Sequence, residues 1–216
     1  MKNFFLLLAG FMLTGIVFGQ NDPKAKEILE QVSKKTQSYS TLSASFVFTM
    51  ENKRENLKEQ NSGSLLLKGK KYQVKLPDLG LQVFSDGVTV WNYMEAANQV
   101  TINHAGDDSQ GVLDPASIFK VYEQGYNTKF VAEKQEGGKT VIYIDLFPQD
   151  NSKEFTKITV AIDKAKMMIH SLITFGKDGN QYGIAVKELK TDLSVADSEF
   201  VFNKSKYGDV EVVDFR

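Results

Sequence analysis

The 216 residues contain no cysteine. That removes disulfide cross-links, thiolate nucleophiles and thiolate metal ligands together. It also removes the acylated N-terminal cysteine by which bacterial lipoproteins are anchored. An exported chain of this kind is held by packing and sheet hydrogen bonds alone. Histidine is nearly absent, with two residues, and tryptophan occurs once. His104 follows a predicted strand, and His170 lies inside one, on the same side as Met168 and Leu172. Neither has a second histidine or paired carboxylates at ligand spacing, so both read as structural or surface residues. Asp107-Asp108 lacks the further spaced ligands of a cation loop and reads as solvated. No GxSxG, phosphate-binding glycine loop or HExxH occurs. No cofactor, metal or catalytic residue is called for. Net charge is also lacking: 26 Lys and Arg stand against 27 Asp and Glu. Nucleic acid, which demands a basic face, is excluded as a partner.

Long apolar runs are confined to the N-terminus. Lys2 supplies a short positive region, and Phe4 to Phe18 is apolar except at Gly10, Thr14 and Gly15. Val17 and Gly19 suit the −3 and −1 positions of a cleavage site. Residues 1–19 are therefore expected to be a secretory signal peptide, with residues 20–216 forming a single mature domain. The run is too short for a confident membrane span. Loss of Lys2 takes the net charge from −1 to −2. A soluble, exported protein is expected, and the missing disulfides point to a bacterial periplasm.

What remains is strand. Asn21 to Tyr39 reads as a helix capped by Asp22 and opened by Pro23, with Ala25, Ile28, Leu29 and Val32 on one stripe. From Thr41 the period falls to two: Leu42, Ala44, Phe46, Phe48 and Met50 share one side. Glu51 to Asn61 reads as a polar connection. Strands then follow at Ser64–Lys68, Tyr72–Leu76, Leu81–Ser85, Val88–Met94 and Gln99–Asn103, with Asp86-Gly87 as a hairpin turn. Asp114-Pro115 caps a short helix containing Ile118 and Phe119, ended by Gly125. Five more strands run from Asn127 to Glu188, with Gly137-Gly138 and Asp178-Gly179 at turns, and Glu199–Phe202 reads as a last one. The pattern predicts a mainly β, α+β fold: one antiparallel meander of roughly ten strands, forming a curled sheet, a barrel or a half-barrel, with two helices against its concave face. Phenylalanine is abundant, at 15 residues. Phe46, Phe48, Tyr72, Phe84, Trp91 and Tyr93 are expected to face inward, as ordinary core or as the lining of an apolar cavity suited to acyl chains.

The order of these pieces resembles a known family. The segments that carry the resemblance are Ser45-Phe46, Gly63-Ser64-Leu65, Ser85-Asp86-Gly87-Val88-Thr89-Val90-Trp91-Asn92-Tyr93, Gln99-Val100, the Asp-Pro-capped helix, Lys157-Ile158-Thr159-Val160 and Phe200-Val201-Phe202. Together they resemble the periplasmic outer-membrane lipoprotein carrier (LolA-like) family over essentially the whole mature chain. The SDGxTxWxY segment is the most specific part. The resemblance implies an unclosed antiparallel β half-barrel with helices forming a lid over a hydrophobic cavity. It implies a monomeric carrier in the periplasm of a diderm bacterium. Such a carrier takes acylated lipoproteins from an inner-membrane lipoprotein-releasing ABC transporter and delivers them to an outer-membrane receptor. By position, Tyr72, Val74 and Leu76, the first-helix residues Ile28, Leu29 and Val32, and the lid residues Ile118 and Phe119 would face that cavity. The resemblance departs at Lys68-Gly69, where well-studied members follow the lysine with an arginine that holds the lid closed. Lys70 and Lys71 lie near but lack the bidentate geometry. Three other readings stay open from the residues alone: a lipid-binding or lipoprotein-sensing protein of the same architecture, an exported lipid-active enzyme, and a structural or adhesive protein.

Overall fold

The computed structural model describes residues 22–106 and 125–216. The single α-helix of the described residues, α1 (Pro23–Gln37), opens on Asp22. The Asp22 Oδ1 accepts from the Lys24 N–H at 2.9 Å and the Ala25 N–H at 3.3 Å. Pro23 sits at the first helical position, where no N–H is needed.

Twelve strands form one sheet: β1 (Leu42–Asn52), β2 (Leu57–Lys68), β3 (Lys71–Leu76), β4 (Leu81–Ser85), β5 (Thr89–Met94), β6 (Gln99–His104), β7 (Tyr126–Glu136), β8 (Lys139–Pro148), β9 (Phe155–Asp163), β10 (Met168–Gly176), β11 (Gln181–Thr191) and β12 (Glu211–Asp214). Their order is β12-β6-β5-β4-β3-β2-β1-β11-β10-β9-β8-β7. Two meanders, β1–β6 and β7–β11, thus join where β1 pairs antiparallel with β11. The sheet stays unclosed, the half-barrel that the family resemblance implies.

Three readings need correction. The stretch Glu51 to Asn61, read as a connection, is mostly strand: β1 and β2 form a long hairpin paired from Leu42↔Leu67 out to Asn52↔Leu57. Its outer half is polar on both sides, so no hydrophobic alternation marks it. Glu199–Phe202 is not a strand, since residues 197–200 form a 3-10 turn. The last strand is β12, and it lies parallel to β6, not antiparallel. The helix around Ile118 and Phe119 falls outside the described residues.

Directly paired residues share a sheet face, so the register fixes two surfaces. We call the side that carries α1 the inner face. On its β7–β10 half, Ala25, Leu29 and Val32 of α1 pack with Ile142, Ile144, Leu146, Ile158, Val160, Ile162 and Leu172 in one buried cluster. Asp22 sets this docking. Its Oδ2 accepts from the Phe130 N–H of β7 at 3.0 Å, and its own N–H donates to the Thr128 carbonyl at 3.0 Å. Lys24 Nζ lies 3.5 Å from the centre of the Phe130 ring.

The outer face is covered on its other half. The segment after β11 crosses β3–β6 there, and Phe202 and Tyr207 stack at 4.6 Å between ring centres. Tyr93 lies 4.4 Å from Tyr207 and 5.8 Å from Phe202, and Phe84 meets Phe202 edge-on at 5.9 Å. Val100 and Val210 close this cluster, and Phe200 is fully buried. Polar ties fasten the segment: Gln73 Nε2 donates to the Glu199 carbonyl at 2.7 Å, and the Tyr207 hydroxyl to Gln82 Oε1 at 3.1 Å.

Candidate functional site

The remaining quarter, the inner face of β1–β5, is where the sequence-predicted residues converge. Leu42, Ala44, Phe46 and Phe48 of β1 stand opposite Leu67, Leu65, Gly63 and Asn61 of β2. Leu67 and Leu65 stand opposite Tyr72 and Val74 of β3, which stand opposite Ser85 and Val83 of β4. Leu76 pairs with Leu81 on the same face. Across β11, Val186 and Ile184 continue the field, and Leu172 and Val160 carry it under α1. One apolar surface therefore runs from β5 to β8.

The two parts of that surface differ. Beneath α1 the centre is buried, with Ile28, Ile169 and Ile184 partly buried at its margin. On β1–β5 and the adjoining β11, Leu65, Val74, Leu81, Val90, Val186 and Leu189 are only partly buried around Leu42, Ala44, Leu67, Tyr72, Val83 and Met168. α1 reaches this second cluster at Thr36, whose hydroxyl donates to Met168 Sδ at 3.8 Å. Phe48 is also half-buried and stacks on Tyr182 at 6.4 Å. Such a surface, apolar and incompletely packed, can hold flexible apolar ligands with little shape selection.

Of the expected lining residues, Phe46, Phe48, Tyr72, Val74 and Leu76 do lie together on this face. Ile28, Leu29 and Val32 lie on the inner face too, but within or against the packed α1 cluster. Ile118 and Phe119 lie outside the described residues. Trp91 and Tyr93 do not join the group. Val90 and Asn92 take the inner face of β5, so Trp91 and Tyr93 point outward with Phe84, beneath the C-terminal segment. The aromatic signal misled because β4 is buried on both faces: Val83, Phe84 and Ser85 are all inaccessible. Alternation alone gives no inner side to such a strand. Leu65, Leu81, Val83, Val90 and Val186 complete the face, and the period of two running outward from Tyr72 and Val74 was the signal that could have found them.

The segment Ser85 to Tyr93 forms the β4–β5 hairpin. Asp86 Oδ1 accepts from the N–H groups of Val88 and Thr89 at 2.8 and 2.7 Å, an Asx-turn that fixes the reversal. The Lys68 region is equally specific. Gly69 has φ +60° in the β2–β3 turn, a left-handed conformation an arginine would adopt only with strain. Lys68 and Lys71 both turn to the outer face. Lys68 Nζ donates to the Val195 carbonyl at 3.0 Å and to Asp197 Oδ1 at 2.8 Å, and Lys71 Nζ to Asp197 Oδ2 at 2.6 Å. These bonds hold the Asp197 carboxyl down to about 2. The lysines of this turn thus fasten the C-terminal segment.

No group of three or more metal-ligating side chains and no membrane-spanning helix occurs among the described residues. The family model described as outer membrane lipoprotein carrier protein LolA matches residues 37–203. No curated protein matches the chain. Among solved structures, an uncharacterized conserved protein from Thermus thermophilus superposes with a TM-score of 0.60 at 16% identity, over 88% of this chain and 99% of that one. LprF from Mycobacterium bovis superposes at 0.49 and 13% identity, over 82% and 97%. At 16% identity the likeness to the Thermus thermophilus protein is one of fold alone.

Proposed function

This chain belongs to the outer membrane lipoprotein carrier protein LolA family, and from that premise we propose that it is a periplasmic carrier of acylated lipoproteins. The observation that carries the reading is the inner face of β1–β5, continuous with the α1-covered face and lined by buried and partly buried apolar side chains. Exposed acyl chains cost about 25 cal/mol per Å² of apolar surface in water. Phe46, Phe48, Tyr72, Val74 and Leu76 cover that surface in transit, with Leu65, Leu81 and Val83 beside them. Adaptable side chains suit cargo that must later be released, because a tightly complementary pocket would retain it. Residues 1–19 direct export. An inner-membrane lipoprotein-releasing ABC transporter loads the carrier, and an outer-membrane receptor accepts the cargo. Binding and hand-off require no bond-making chemistry.

The test is incubation of the purified protein with spheroplasts, followed by native mass spectrometry of the supernatant. The reading expects acylated lipoproteins released in stoichiometric complex. Bound free lipid without released lipoprotein would replace it with a lipid-binding role, and an empty protein would overturn it.

A further inference from the structure

The inner face changes character at β5 and β6. Val90, Asn92 and Met94 stand opposite Asn103, Thr101 and Gln99. Beyond the leucines and valines of β1–β4, the surface therefore ends in amides and a hydroxyl. Asn103 is 3% exposed, and its Nδ2 has no hydrogen-bond partner among the described residues. A buried amide donor without an acceptor is costly, and native structures tolerate few. Charge is lacking as well. Among the described residues, no Lys, Arg or His stands at an inner-face position of β1–β6, and Glu59 lies out on the hairpin opposite Met50. A phosphate or carboxylate drawn onto this face would lose its water and meet no cation among the described residues.

Resting on the carrier reading, we propose that the β5–β6 end of the inner face selects acyl ligands through their neutral ester carbonyls, with Asn103 Nδ2 donating to the carbonyl oxygen. Thr101, further along the same strand face, offers a hydroxyl to a second ester. The chains then run toward β1 over Val83, Val74 and Leu65. Ligands with ester-linked chains and no charge near the ester are favoured. Those that lack the carbonyl, or carry a phosphate beside it, are disfavoured.

The experiment compares three tritiated lipids of equal chain length, delivered from cyclodextrin: 1,2-dioleoylglycerol, its di-O-oleyl ether analogue and dioleoyl phosphatidic acid. The diester should bind about tenfold more tightly than the diether, the factor that one recovered buried hydrogen bond supplies. Phosphatidic acid should bind more weakly than the diester. In Asn103→Leu the ester-to-ether ratio should fall toward one with ether affinity retained. Equal affinity of the unaltered protein for ester and ether overturns the proposal without needing any variant. An unchanged ratio in a folded Asn103→Leu protein overturns the role of Asn103, and phosphatidic acid binding as tightly as the diester overturns the selection against charge. Binding of none of the three overturns the acyl-binding reading itself, a separate outcome from loss of the ratio.

Discussion

Gly63 on β2 stands directly opposite Phe46 on β1, and the Phe46 ring occupies the place that a Cβ at position 63 would take. The same Cβ would come within 2.9 Å of Leu76 Cδ2. A large ring thus lies flat across the middle of the apolar field because its neighbour has no side chain. Gly63→Ala should lift the ring off the strand and into the space above the inner face. Overpacking of this kind costs about 1–3 kcal/mol, read as a lowered midpoint in urea. Gly63→Ala combined with Phe46→Leu should recover most of it, since the smaller side chain frees the site. Additive losses in the double variant would show that the two residues do not share this space.

The two faces of β3–β5 should separate binding from stability. Val74 is half-buried on the inner face among side chains that are themselves incompletely packed. Val74→Glu should abolish uptake of acylated cargo while the protein stays folded by circular dichroism, because the carboxylate can reach water. Tyr93 is buried under Phe202 and Tyr207 on the opposite face. Tyr93→Ala should cost about 3–5 kcal/mol, as truncation of a buried aromatic does, and leave cargo affinity of the folded fraction unchanged. A Tyr93→Ala protein of normal stability that no longer binds cargo would place the site on the wrong face.

This division also explains what was legible in the sequence. Where one face is packed and the other wet, as in the inner half of β1, the period of two placed Leu42, Ala44, Phe46 and Phe48 correctly on one side. Where both faces are covered, as at Val83-Phe84-Ser85, the period vanishes, and Trp91 and Tyr93 were drawn to the wrong side by their aromatic character. Where both faces are polar, as at the far end of the β1–β2 hairpin, the strand itself was invisible. The capping signature of α1 depends only on Asp22 and Pro23 and was local, so it was read within two residues at either end. The cover formed by Phe200, Phe202 and Tyr207 depends on contacts more than a hundred residues apart, which no window of sequence contains.

Asp22 holds two elements at once, so its loss should exceed that of an ordinary helix cap. Asp22→Ala removes the cap on α1, worth about 0.5–2 kcal/mol, and also the acceptor for the Phe130 N–H on β7. Asp22→Asn keeps one acceptor oxygen and should lose less. The bond from Phe130, followed by those from Ala25 and Lys24, holds the Asp22 carboxyl below its usual value against the opposing effect of burial. A depressed value in the folded state means that this stabilisation is complete above the ordinary carboxylate range and is lost as acid protonates the group. Urea midpoints of the native protein should therefore fall on acidification, and those of Asp22→Asn should fall less. Parallel pH profiles for the two proteins would remove Asp22 from the account.

Asp197 makes the corresponding case for the C-terminal segment. Its carboxylate receives both Lys68 and Lys71 at 2.8 and 2.6 Å and titrates at about 2 instead of 3.8. The tie is present above 3.8 and disappears as pH falls through about 2. Because the group is exposed, each ion pair contributes little to global stability, and the effect should be local. Protection of the amides at residues 197–207, relative to the intrinsic exchange rate at each pH, should fall between pH 4 and pH 2, while protection in β8 and β9 does not. Asp197→Asn should show the faster exchange already at neutral pH and lose the acid dependence. The aromatic stack of Phe202, Tyr207 and Tyr93 remains in that variant, so the segment should loosen at its start and stay seated at its end. Uniform release of the whole segment in Asp197→Asn would mean that the lysine turn, and not the aromatic stack, holds the outer face covered.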